Sequence, residues 1–206
     1  KQSCVQVIAL DPCYIEAHFN LGVVSTRLGE LSEAERAYRR VISLAPSHSL
    51  ARNNLGFLLQ QTGRTSEAEE SVRAAILYDS ELLEAHFNLG NILLDKKILD
   101  EAEQSFRRAL ELAPEHARSF SQLGCVLHEL GLYEQALRAF ERSHELNPCD
   151  RTNYARLAIL EARQLSSASR RSPDATRSCP VKHAGKFSTY RVVEPDLINE
   201  IYDLES

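Results

Sequence analysis

The 206-residue chain carries a net charge of −5, with 43% hydrophobic and 26% charged residues, proportions ordinary for a soluble globular protein. A negative balance argues against wholesale nucleic-acid binding, which calls for a basic surface. No apolar run approaches the ~18 residues of a membrane span, so no membrane insertion is expected, and no signal peptide is visible.

Residues 1–14 read as a short helix with Val5, Ile8 and Leu10 apolar, closed by Pro12. The next stretch, Glu16-Ala17-His18-Phe19-Asn20-Leu21-Gly22, returns letter for letter at Glu84 to Gly90, 68 residues on. Asn54-Leu55-Gly56 stands halfway and Gln122-Leu123-Gly124 one step beyond, so the period is 34. Ala34, Ala68, Ala102 and Ala136 keep it, as do Pro12, Pro46, Pro114 and Pro148 with Ser80 in the gap, and Gly29, Gly63 and Gly131 with Lys97. Such a period marks stacked repeats that bury their apolar faces only against one another.

Within residues 15–48, Ala17, Phe19, Leu21, Gly22, Val24, Ser25 and Leu28 hold helical spacing up to Gly29. A second helix carries Ala34, Ala37, Tyr38, Val41, Ile42 and Leu44 and stops at Pro46. Ser32 with Glu35, and Ser66 with Glu69, fit capping boxes. Repeats are expected over 15–48, 49–82, 83–116 and 117–150, and 1–14 then becomes the second helix of a truncated repeat. Repeat 49–82 diverges, with Val72 for the aromatic and Ser80 for the proline, so looser packing is expected there. With no initial methionine, the chain is expected to be a piece of a longer protein.

Residues 151–165 read as a capping helix with Tyr154, Leu157 and Leu160 apolar, and 166–186 as a flexible, serine- and charge-rich linker. Residues 187–206 read as a strand then a helix opened by Pro195. They could begin a further domain, dock onto the repeats, or stay disordered.

The five cysteines include no Cys-x-x-Cys, and Cys13 and Cys149 both follow closing prolines, so they read as turn duplicates. Reduced thiols fit a cytoplasmic setting. His18 and His86 share one column and His48 and His116 another, two repeats apart, which is not a metal-ligand spacing. No Gly-rich phosphate loop or nucleophile elbow occurs, so the expectation is no enzyme, no metal and no cofactor in this chain.

The period, the Leu-Gly pair, the alanine column, the large apolar residue at Tyr38, Phe106 and Phe140 and the closing proline resemble the tetratricopeptide repeat family, over residues 1 to about 164. The resemblance implies an all-α, right-handed superhelical solenoid of 34-residue helix-turn-helix repeats, and the residues after it read as the linker and a short terminal helix. It also implies that the first helices line a concave groove for a protein or peptide partner. The groove residues would be Phe19, Asn20, Arg27, Asn53, Asn54, Phe57, Phe87, Asn88, Asn91, Arg118, Gln122 and Arg156, on one helical stripe with Gln61, Asp95, Ser121 and Cys125. Asn20, Asn54, Asn88 and Gln122 would form a row of amides, which can bond a peptide backbone without reading side chains, or bond locally between repeats. The family's clamp for chaperone C-terminal carboxylates wants lysine at Phe87, asparagines at Asn91 and Gln122, and basic residues at Thr152 and Arg156. Only Asn91 and Arg156 match, so no such clamp is expected. Two functions stay open: a protein-protein interaction scaffold that binds an extended peptide or helix, or a substrate-recruiting arm of a larger enzyme. For the second, the amide row resembles that of O-linked N-acetylglucosamine transferases, and an oxygenase domain would fit equally.

Overall fold

A computed structural model describes residues 1–150 with Arg156, Leu157 and Ile159, all within one compact unit, Lys1–Leu165. The expected linker over 166–186, the strand and helix over 187–206, and most of the capping helix over 151–165 lie outside the described residues.

The described residues form nine helices: α1 (Gln2–Leu10), α2 (Ile15–Arg27), α3 (Leu31–Leu44), α4 (Ser49–Gln61), α5 (Thr65–Tyr78), α6 (Leu83–Asp95), α7 (Leu99–Leu112), α8 (Ala117–Glu129) and α9 (Tyr133–Leu146). Among them there is no strand, and no helix is long and apolar enough to cross a membrane. The even-numbered helices begin 34 residues apart, and each packs on the helix before and after it. The described residues form an all-α helical-repeat solenoid.

The Leu-Gly pair is what lets paired helices close. A Cβ on Gly22 would stand 2.6 Å from the Tyr38 ring, one on Gly90 2.6 Å from Phe106, and one on Gly124 2.7 Å from Phe140. Each ring fills the space of a missing side chain, and Tyr38, Phe106 and Phe140 are fully buried. Ala34, Ala68, Ala102 and Ala136 are fully buried too, in an interior where close packing makes added volume costly.

The looser packing expected in 49–82 does not occur. Val72 is fully buried, and its Cγ2 would lie 2.4 Å from a Cβ on Gly56. The Ala68 carbonyl comes within 3.1 Å of the same point, so α4 and α5 approach closely enough to make up for the smaller side chain. α5 stops at Tyr78 without a closing proline. Asp79 adopts extended backbone, and its Oδ1 accepts from the Glu81 N–H at 3.1 Å, as Asp11 Oδ1 does from Cys13 at 2.9 Å.

The two capping boxes do not form. Glu30 caps α3 and Arg64 caps α5, which leaves Ser32 and Ser66 inside the first turn. The preceding turn sets this register. Gly29 takes φ +75°, its N–H bonds the Thr26 carbonyl, and the Glu30 N–H reaches back to the Ser25 carbonyl, a Schellman closure. Gly63 and Gly131 repeat the conformation, and Lys97 adopts it at φ +60° without being glycine.

The histidine columns have local work. The imidazole Nε2 of His18 lies 3.0 Å from the Pro12 carbonyl, and that of His86 3.0 Å from the Ser80 carbonyl. Arg52 bonds the Pro46 carbonyl from the same column at 2.8 Å. His48 Nδ1 accepts from the Ala51 N–H at the start of α4.

Ion pairs tie one repeat to the next. Arg64 bridges Glu35 of α3 (2.8 Å) and Glu67 of α5 (2.6 Å). Lys96 reaches Glu69 at 2.6 Å, and Arg73 links Glu69 and Glu101 at 3.0 and 2.8 Å. Bonds from Lys96, then from Arg73, hold the Glu69 carboxyl below the usual carboxylate range. Burial pushes Glu35 the other way, but bonds from Arg64 and Arg39 outweigh it and the result is again lowered.

Candidate functional site

First helices pack on first helices, α4 on α6 and α6 on α8, so their outward stripes form one continuous face. Phe57 of α4, Asn91 of α6 and Gln122 of α8 meet there in a cavity of about 370 Å³. Gln60, Gln61, Leu94 and Asp95 complete its lining. Gln60 lies one helical turn beyond Phe57, and its Nε2 donates to Asp95 Oδ2 at 2.6 Å. Gln122 Nε2 donates to Asn91 Oδ1 at 2.8 Å, which leaves the Asn91 amide N–H groups for a ligand.

The other expected groove residues are not gathered in this cavity. Asn53 is buried; its Oδ1 accepts from Asn88 Nδ2 at 2.9 Å, and its Nδ2 lies 3.4 Å from Asn54 Oδ1. The nearby Tyr38 hydroxyl lies 3.3 Å from Thr26 Oγ1, and burial pushes it above its ordinary pKa. The amides at Asn54, Asn88 and Gln122 thus spend bonds within the array, while Asn20 is exposed.

Phe19 and Phe87 are walls of the core. Phe19 packs on Tyr38 and His48, with ring centroids 6.1 and 5.1 Å away. Phe87 is buried, edge-on to Phe106 and His116, and the Arg118 guanidinium lies 4.8 Å over its ring. Burial, then the Arg118 charge, lowers the His116 pKa. Arg27 is exposed with no ion-pair partner among the described residues. Arg156, exposed, reaches Ser121 Oγ at 3.5 Å. Cys125 is half-buried, and burial raises its thiol pKa.

Sequence reasoning did not single out Gln60 and Leu94. Their offsets of three from Phe57 and Asn91 were the available signal. Among the described residues no three His, Cys, Asp or Glu side chains gather as a metal site.

Helix pairs stacked at a fixed period, with an open face of first helices, define a helical-repeat protein. Models of the tetratricopeptide repeat family match residues 15–48, 50–77 and 81–148. The chain belongs to the tetratricopeptide repeat family. Among solved structures it is similar to PilF of Pseudomonas aeruginosa, at 27% identity over 76% of this chain and 72% of that one, with a TM-score of 0.69. It shares its fold with MamA at 22% identity, over 76% and 86% of the two chains, with a TM-score of 0.67. It shares it also with YrrB, a TPR protein with an unusual peptide-binding site, at 20% identity over 83% and 93%, with a TM-score of 0.67. No curated protein matches the chain in sequence.

Proposed function

We propose that the chain is a protein-interaction scaffold that holds an extended peptide or a helix on the face of its first helices. The observation that carries this reading is the α4/α6/α8 cavity, where side chains of three successive repeats converge around the exposed ring of Phe57. Aromatic residues, phenylalanine among them, are enriched at interfaces relative to the rest of a protein surface. The likeness to YrrB supports the same reading. The recruiting-arm alternative leaned on the free amide row, and the bonds from Asn88 to Asn53 and from Gln122 to Asn91 favour the scaffold.

Selection of a phage-displayed random dodecapeptide library on the full chain tests the proposal. Phe57→Ala or Asn91→Ala is expected to weaken the selected peptides by roughly tenfold or more, with unchanged helicity by circular dichroism. Equal binding by wild type and variants would contradict it.

A further inference from the structure

We infer that the α4/α6/α8 cavity takes a basic side chain, arginine above lysine, of the bound peptide; this rests on the groove reading above and names what the groove selects. Among the described residues, Asp95 is the one charged residue lining the cavity. Other carboxylates near the repeat junctions are neutralised: Glu35 by Arg64, Glu69 by Lys96, Glu129 by Lys97. Asp95 has no cation among the described residues, although Lys96 and Lys97 follow it directly, because both reach away to Glu69 and Glu129. Its only bond there comes from the neutral Gln60 amide, which fixes the carboxylate but leaves its charge uncompensated.

The apolar half of the cavity fits the same ligand. Phe57 is 39% exposed. It shares its column with Val23, Asn91 and Cys125, so no repeat rule calls for an aromatic there. Gln60 holds Asp95 within a turn of that ring. A long basic side chain would lay its stem on Phe57 and Leu94 and bring its head to Asp95. A planar guanidinium adds stacking on the ring and a two-pronged carboxylate bond, which an ammonium lacks. The Asn91 donors, unbonded among the described residues, would meet the adjoining peptide backbone.

The test uses the full chain and a synthetic dodecapeptide taken from the library selection. The selected peptides should share one basic position. Replacing that residue by norleucine, or Asp95 by asparagine, should each weaken binding about tenfold, and the two changes together little more. Selection on Asp95→Arg should turn the shared position acidic. Peptides that need Phe57 but share no basic position, or are indifferent to Asp95→Asn, overturn this inference and leave the groove reading standing. Peptides indifferent to Phe57→Ala as well overturn both.

Discussion

At the scale of single residues, Lys97 sets a strain against a contact. Its φ of +60° fills a position held elsewhere by Gly29, Gly63 and Gly131. A side chain there costs about 1–2 kcal/mol against the nearby carbonyl. In return, its ammonium meets both oxygens of Glu129 at 2.9 Å. That side chain is 68% exposed, and a pair so open to solvent contributes only ~0–1 kcal/mol. Lys97→Gly is therefore expected to raise the urea midpoint, by about 0.5–1 kcal/mol of stability once the greater freedom of unfolded glycine is included. A lower midpoint would mean that the Glu129 pair outweighs the strain. The same scale explains what the sequence hid at the site. Asn53, Asn54, Asn88 and Gln122 look alike as letters, and only side-chain geometry decides which amides bond each other and which face solvent.

Between elements, the array is held by buried ring-on-glycine contacts within pairs and by ion pairs across them. Glu69 sits at one such crossing, between Lys96 and Arg73. Its folded carboxyl lies below the unfolded value of about 4.3. Such a group contributes stability that is fully present above that value and is lost as pH falls through the folded pKa. Glu69→Gln is expected to cost roughly 0.5–1 kcal/mol at pH 7, and the gap from wild type should narrow as the pH is taken below the unfolded carboxylate value of about 4.3. Urea melts on either side of that value measure it; a gap unchanged by acid would remove the carboxylate from the account. The helix pairs themselves were legible, because Gly22 with Tyr38 and Gly90 with Phe106 leave a small-large signature in the letters. The helix starts were less so: Ser32 and Ser66 imitate caps, but the left-handed glycine before each turn sets the register.

For the whole molecule, the period was readable because every repeat solves one packing problem with the same few residues. The cavity was not. Its lining comes from three helices in three repeats, and its depth depends on how far each repeat turns relative to the last, which no column of letters encodes. Phe57, Asn91 and Gln122 were legible as members of one stripe; that Gln60 would reach across to Asp95 was not. The central claim is that the face of the first helices is the binding face. Hydrogen exchange of the full chain with and without a selected dodecapeptide tests it most directly. The peptide is expected to slow exchange in α4, α6 and α8 around Phe57, Asn91 and Gln122, and to leave α5 and α7 unchanged. Slowing confined to α5 and α7, with α4, α6 and α8 unaffected, would contradict it.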